Sequence, residues 1–293
     1  MSLAQPPHAQ ARAAVLGSPI GHSLSPVLHR AAYAATGIDW RYDAIECGES
    51  ALPALLARVR AEPGWRGLSL TMPLKLTAIG LVDTVDANVE LVGALNTIVI
   101  SEQAGGPARL SGHNTDIHGI TASIAATGVG EIGSALLLGA GGTARAAIAA
   151  LAGIGVRRIV VAARDVRRVA VLATLAERLG VDIVPAPWTS LGTELAAAEL
   201  VISTVPAAAT DAVAEVHGWP GGVPLLDVLY EPWPTALAAH AARSGSVVVG
   251  GMSVLAHQAC EQFVLMTGQP GPLAAMQAAG ERALAARAGL AAG

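Results

Sequence analysis

Lysine is almost absent from this chain: of 18 Lys and Arg residues, 17 are arginine and one, Lys75, is lysine. Charge of either sign is scarce, at 14 % of residues where roughly 25 % is usual. The two cysteines, Cys47 and Cys260, make no disulfide framework and have no metal-ligand spacing. No metal is therefore expected. The longest charge-free run, 262–280, contains Pro270, Pro272 and three glutamines, which excludes a spanning helix and with it a membrane partner. The N-terminus lacks the basic-then-apolar pattern of a secretory signal and reads as a short lead-in. A net charge of −4 gives no reason to expect nucleic acid. These absences leave a soluble cytoplasmic protein, monomer or homodimer, whose partner is a small molecule.

The chain does have ample apolar material. Apolar residues make up 53 %, much of it alanine, and 293 residues suffice for one large or two ordinary domains. The lone lysine gains weight from its isolation. Arginine stays protonated at neutral pH, whereas a lysine amine can be tuned into the working range. Either one titratable amine is kept for chemistry, or codon bias missed a single surface lysine. The count alone leaves both open.

Along the chain, Ala13–Leu16 reads as a strand that runs through the loop 17–25 into a helix over 26–36. Ser25 suits the N-cap of that helix and Pro26 its first residue. With Ser23 beside it, this helix start offers hydroxyls and free N–H groups, a seat for a carboxylate or phosphate; the plainer reading is a cap alone. Strand-like runs at 40–47 and 67–71 alternate with helices over 52–60 and 75–81, which points to a parallel α/β unit. The run 93–100 is also strand-like and carries Asn96. A polar stretch, 112–116, precedes a helix from about Ile117. Two of the three asparagines, Asn96 and Asn114, fall in these short stretches. Turn chemistry accounts for either one equally well, and Asp116 reads equally as a cap.

From Ser134 the pattern sharpens. An apolar strand enters a glycine-rich turn, Gly139-Ala140-Gly141-Gly142-Thr143, and a helix follows from Ala144 to Ala152. Gly139, Gly141 and Ala144 occupy the G-x-G-x-x-G/A positions of a dinucleotide fingerprint, between strand and helix as it requires. Gly139 makes the tight turn and Gly141 lets backbone approach a pyrophosphate. The second strand, 158–162, ends in Ala163-Arg-Asp-Val-Arg-Arg168. Arg164, Arg167 and Arg168 form a cationic fork suited to a 2′-phosphate, which argues for NADP over NAD, with Asp165 as the opposing signal. Further strands at 181–185, 200–204, 224–229 and 247–250 complete a doubly wound sheet, after which the chain ends in Ala-rich helix.

Taken together, these stretches resemble the shikimate dehydrogenases of the aromatic amino-acid pathway, from about Val15 to Gly268. The resemblance is carried by 17–26, Ser69-Leu-Thr-Met-Pro-Leu-Lys75, Gly93-Ala-Leu-Asn-Thr97, Asn114-Thr-Asp116, 139–145, Asp227-Val-Leu-Tyr-Glu-Pro232 and Gln258-Ala259. It implies a two-domain α/β protein that reduces 3-dehydroshikimate to shikimate, reversibly, with NADPH. A substrate domain over 1–112 would be completed by 251–293, with a Rossmann-type NADP domain at 113–250 between them. By the same resemblance, Ser23 and Ser25 hold the substrate carboxylate, and Thr71, Lys75, Asn96, Asp116, Tyr230 and Gln258 line the rest of the pocket. Val228 and Gly251 lie along the nicotinamide, and Arg164 and Arg168 carry the 2′-phosphate. Three departures stand out. The family's Asn-Val-Thr is Ser69-Leu-Thr71 here, its Asn before the arginine is Ala163, and its Asn-Ala-Thr-Pro-x-Gly is Ile202-Ser-Thr-Val-Pro206.

The chemistry gives the lone lysine a task. Hydride delivered to a carbonyl carbon leaves an oxygen that must gain a proton, and oxidation needs the converse. Lys75 paired with Asp116 is expected to do both. A quinate or dual quinate/shikimate dehydrogenase is the alternative enzyme. A non-catalytic metabolite-sensing protein of the same fold would not need Lys75 and Asp116 together.

Overall fold

A computed structural model of the chain describes residues 10–209 and 218–291. The described chain forms two compact α/β units. One contains the residues up to Thr115 and those from Ala259 onward, the other runs from Asp116 to Gln258.

The first unit is built on a six-stranded sheet in the order β2-β1-β3-β5-β6-β4. Its strands are β1 (Arg12–Gly17), β2 (Arg41–Glu46), β3 (Trp65–Leu70), β4 (Thr84–Val85), β5 (Thr97–Gln103) and β6 (Gly106–His113). β1 runs parallel to β2 and β3, but β5 is antiparallel to both β3 and β6. The strands that alternate with helices, β1, β2 and β3, thus pair in parallel as expected, while β5 and β6 add an antiparallel part to the same sheet. The reason is local: only two residues separate β5 from β6, and a parallel pair needs a crossover of a dozen or more. Gly105, at φ +76°, makes the turn. The core on one face gathers Leu16, Leu68, Leu70, Ile98 and Leu110, all buried. The helices Ser25–Thr36 and Leu273–Ala291 pack together in this unit, so the C-terminal helix returns to the N-terminal sheet.

Some element ends differ from the expectation. The cap of the first helix is Leu24, with Ser25 already helical and no side-chain cap bond. The strand expected over 93–100 starts only at Thr97, because Gly93 takes the left-handed conformation that ends the helix Ala87–Val92. The helix expected over 75–81 is α-helical only at Leu74–Thr77 and continues as a 3₁₀ turn over Ala78–Leu81.

The second unit is a fully parallel sheet in the order β12-β11-β10-β7-β8-β9. Its strands are β7 (Ser134–Leu138), β8 (Arg158–Ala163), β9 (Asp182–Pro187), β10 (Val201–Ser203), β11 (Leu225–Asp227) and β12 (Val248–Gly250). Its central strands are buried nearly end to end, as helix-covered parallel strands must be. Alanine serves this packing. In the helix Gly142–Gly153, Ala144, Ala146, Ala147 and Ala150 are all buried, where larger side chains would hold the helix off the sheet. The strand order reverses between β7 and β10, the topological switch where such sheets bind ligands.

Candidate active site

In the first unit, the residues singled out from sequence gather at one end of the sheet. β1 and β3 end there, and antiparallel β5 begins there. Gly17, the last residue of β1, lies directly against Thr71. A Cβ at Gly17 would overlap the Thr71 methyl and come within 2.9 Å of the Met72 carbonyl, so only glycine lets these two loops touch. The Ser18 N–H donates to the Met72 carbonyl at 3.0 Å and the Thr71 N–H to the Leu16 carbonyl at 2.9 Å. Glu46, at the end of β2, accepts the Ile20 N–H at 2.9 Å. A Ser18 hydrogen bond and this Ile20 bond hold its carboxyl below the usual range. The loop carrying Ser23 and Ser25 is thus tied down on both sides. At the helix entrance the Ser25 N–H donates to Ser23 Oγ at 3.3 Å, so Ser23 supplies the hydroxyl that a cap would provide. Ser25 itself is buried.

Lys75 lies one turn beyond Thr71, and its carbonyl accepts the Leu95 N–H at 2.9 Å. Asn96 follows, nearly fully buried, and its two ends are both used. Oδ1 accepts the Thr115 N–H at 2.9 Å, and Nδ2 donates to Thr115 Oγ1 at 2.9 Å. Asn114 donates to the Ala94 carbonyl at 2.8 Å. The segment 94–96 therefore joins the backbone of Lys75 to the stretch that leads into Asp116. Turn chemistry alone does not describe these asparagines, which bond across 19 and 20 residues of chain.

Behind these residues runs a buried polar chain. The Tyr42 hydroxyl donates to Ser69 Oγ at 2.6 Å, and Ser69 donates to Gln262 Oε1 at 2.7 Å. Gln262 Nε2 donates to Thr97 Oγ1 at 3.0 Å and to the Asn96 carbonyl at 3.3 Å. Thr97 in turn donates to Asn96 Oδ1 at 2.9 Å. Ser69, standing where the family carries asparagine, has its hydroxyl committed within this chain.

In the second unit, Asp116 and Gln258 sit on two helices in close contact, Asp116–Ala125 and Gly251–Thr267. Gly119 sets the approach, since a Cβ there would come within 2.8 Å of the Val254 carbonyl and 3.0 Å of Gln258 Cβ. Ser123 donates to Ser253 at 2.8 Å across the same seam. Gln258 Nε2 donates to the Leu255 carbonyl at 2.9 Å.

The glycine-rich turn follows β7 at the switch point. Gly139, at φ +108°, takes a conformation that L side chains rarely adopt, and a Cβ there would meet Thr204 Oγ1 at 2.6 Å. Gly141 is exposed and has open space on its Cβ side. It is also the N-cap of the helix Gly142–Gly153, whose first N–H groups have no side-chain cap. Ala140, Gly142 and Thr143 are half-buried around it. Arg164 and Arg168 are exposed beyond the end of β8. Arg167, however, is bound to Asp165 by Nε at 2.9 Å and Nη2 at 3.0 Å, so the fork of three arginines is a fork of two. At the end of β11, Asp227 accepts the Leu229 N–H at 3.1 Å and the Thr235 hydroxyl at 2.7 Å, fixing the loop of Val228 and Tyr230. Burial pushes its carboxyl above the usual range, against the pull of Thr235 and Leu229. Gly251 closes on the same loop, and a Cβ there would sit on the Val228 carbonyl.

Comparison with known proteins matches three family profiles in order. They are the shikimate dehydrogenase substrate binding domain over 15–98, shikimate / quinate 5-dehydrogenase over 124–215 and the shikimate 5′-dehydrogenase C-terminal domain over 251–279. The shikimate dehydrogenase (NADP(+)) of Moorella thermoacetica is 36 % identical over 287 residues, covering 94 % of both chains. The chain belongs to the shikimate dehydrogenase family. The crystal structure of the Mycobacterium tuberculosis shikimate dehydrogenase is similar with a TM-score of 0.81 at 40 % identity, covering 93 % of this chain and 99 % of that one. The Thermus thermophilus shikimate 5-dehydrogenase in complex with NADP(H) and shikimate has a TM-score of 0.78 at 32 % identity, covering 94 % and 100 %.

As a member of this family the protein is an oxidoreductase, and its second unit fits an NADP cofactor. Uncapped N–H groups behind Gly141 are suited to a pyrophosphate, and Arg164 and Arg168 offer cations past the second strand. At Gly251 the missing side chain lets the backbone close directly on the Val228 loop. Among the described residues no His, Cys, Asp and Glu cluster fits a metal, and no helix is long and apolar enough to cross a membrane. Sequence reasoning gave no role to Gln262, Thr115, Gly119 or Asp227. For Gln262 one signal was present: it lies four residues after Gln258, on the same helix face.

Proposed function

We propose that this dehydrogenase reduces 3-dehydroshikimate to shikimate, and runs the reverse, with Lys75 as acid/base and Asp116 as its partner. The observation that carries this reading is the anchoring of the chain's one lysine. Leu95 binds its carbonyl, Asn96 binds Thr115, and Asp116 is the next residue along. NADPH, when bound, supplies the hydride; the chain supplies position and the proton. The Lys75 ammonium gives its proton to the oxygen of the carbonyl being reduced and takes one back in the oxidation. Asp116 fixes the orientation and charge of that amine.

Ser23 and Ser25 take the substrate carboxylate: Ser23 Oγ already accepts the Ser25 N–H, which leaves its own proton to donate outward. Thr71, Asn96, Tyr230 and Gln258 line the rest of the pocket. Gly139, Ala140, Gly141, Gly142 and Thr143 receive the pyrophosphate, Arg164 and Arg168 the 2′-phosphate, and Val228 and Gly251 flank the nicotinamide. Cys47 and Cys260 are free thiols, which suits a reducing cytoplasm.

The test is Lys75→Met against Lys75→Arg. Methionine removes charge and proton; arginine keeps the charge and removes only the exchangeable proton. Both are expected to lose at least about a hundredfold in kcat, while titration calorimetry still detects shikimate binding to the Arg variant. Near-normal turnover by Lys75→Met would refute the role. One matching family description also names quinate. Comparing kcat/KM for shikimate and quinate, each with NADP and NAD, separates the two substrates.

A further inference from the structure

The end of the second strand carries an acid that the NADP reading has to accommodate. In a sheet of this topology, a carboxylate near that point takes the ribose 2′-hydroxyl of NAD, and the same charge repels a 2′-phosphate. Asp165 lies two residues past β8, between Arg164 and Arg168. It is held in a specific way. Oδ1 accepts Arg167 Nε at 2.9 Å and the Arg167 N–H at 3.1 Å, and Oδ2 accepts Arg167 Nη2 at 3.0 Å. Both oxygens are engaged by one residue, side chain and backbone together. The Arg168 N–H donates to the Asp165 carbonyl at 3.0 Å and fixes the turn that makes this geometry possible. The bonds from Arg167 hold the Asp165 carboxyl below its usual range, with the Arg168 charge acting the same way.

Stability does not explain the pair. The two side chains are 88 % and 41 % exposed, and an ion pair so open to water contributes little to folding. We propose that Arg167 is a specificity-determining residue for the cofactor: it covers the Asp165 carboxylate and so screens that charge from a 2′-phosphate received by Arg164 and Arg168. The inference rests on the reading that those two arginines hold the phosphate. Arg167 acts through Asp165, as a positioning and neutralising residue, and makes no phosphate contact of its own.

Calorimetric titration of the full-length protein with NADPH, NADH and 2′,5′-ADP, without substrate, tests this independently of turnover. Arg167→Ala is expected to weaken NADPH and 2′,5′-ADP on the order of tenfold, by unmasking a negative charge, and to leave NADH within about twofold. Adding Asp165→Asn to that variant should restore NADPH affinity to within about threefold of the parent, because the repelling charge is gone. An unchanged NADPH-to-NADH ratio in Arg167→Ala overturns the proposal. So does a double variant as weak as the single one, which would make Arg167 a direct phosphate ligand. Full 2′,5′-ADP affinity in an Arg164→Gln/Arg168→Gln variant would instead remove the phosphate reading beneath it.

Discussion

His29 makes the stability of the first unit depend on pH, with a sign and a size that follow from its surroundings. Its ring has no exposed surface and stacks on Tyr42, with centroids 4.0 Å apart and planes 5° from parallel. Gln262 Nε2 faces the Asn96 carbonyl, which can only accept, so the amide orientation is set and Gln262 Oε1 points to His29 Nε2 at 3.3 Å. That nitrogen must carry the proton, and buried Nδ1 is left without a partner. Burial disfavours the imidazolium and lowers the pKa from 6.5 to about 4, with the Gln262 bond opposing only in part. Between those two values the unfolded chain binds the extra proton and the folded chain does not. Stability therefore falls as pH falls, by about 2 kcal/mol at pH 5 and about 3 kcal/mol at pH 4 relative to neutral pH. Phenylalanine at this position keeps a ring against Tyr42 and removes the titration. It also removes one donor from Gln262 Oε1, at a cost of about 1 kcal/mol at pH 7. His29→Phe is thus expected to be the less stable protein at pH 7 and the more stable one by pH 5. Urea unfolding of both proteins across that range reads the difference. Carboxylates held low in the native state, such as Glu46, Glu62 and Asp83, weaken both proteins in acid and cancel. A difference that stays constant from pH 7 to pH 4.5, or a His29 resonance that titrates above pH 6, would refute the reasoning.

Three further substitutions probe the site's supports. Gly119→Ala places a methyl 2.8 Å from the Val254 carbonyl, and overpacking against backbone costs about 1–3 kcal/mol. Because Asp116 and Gln258 ride on the two helices concerned, thermal melts and kinetics together should show kcat/KM falling further than cofactor affinity. Gly251→Ala forces a methyl onto the Val228 carbonyl; fluorescence titration should find NADPH binding weakened at least about tenfold. Ser69→Ala strands the buried Tyr42 hydroxyl and removes a donor from Gln262, at about 1–3 kcal/mol. If Ser69 serves the core, its loss raises the shikimate KM by no more than about threefold, whereas a larger rise at unchanged stability would make it a substrate contact.

The dinucleotide half was legible because its requirements are local. A tight turn, a close approach and an uncapped helix start must follow one another within a few residues, and Gly139, Gly141 and Ala144 do so in the sequence itself. The buried chain Tyr42–Ser69–Gln262–Asn96 was not legible for the opposite reason. Its bonds span 27, 193 and 166 residues, and no local pattern tells a buried serine from a turn serine. Ser25 shows how two local solutions can look alike. The cap pattern is present, but the Ser23 hydroxyl reaches the Ser25 N–H first and the helix begins one residue earlier. In β6 a signal went unread. Ala108, Leu110 and Gly112 alternate inward along Gly106–His113, a period-two pattern written in residues too small to stand out.

The direction of β5 matters more to the site than any of these boundaries. In a parallel sheet the useful end is where strands finish, so Ser23 and Ser25 after β1 and Lys75 after β3 share an end by default. Asn96 comes before its strand, and Asn114 follows the next one. With β5 parallel, Asn96 would lie at the far end of the sheet, about 20 Å away for a strand of six or seven residues. Because β5 runs antiparallel and a two-residue turn sends β6 back, the start of β5 and the finish of β6 both fall beside the finish of β3. The Asn96 and Thr115 bonds then close that end, and the Leu95 N–H reaches the carbonyl of Lys75. A parallel β5 would set Lys75 and Asn96 at opposite ends of the sheet; its antiparallel run beside β3 brings them to the same end.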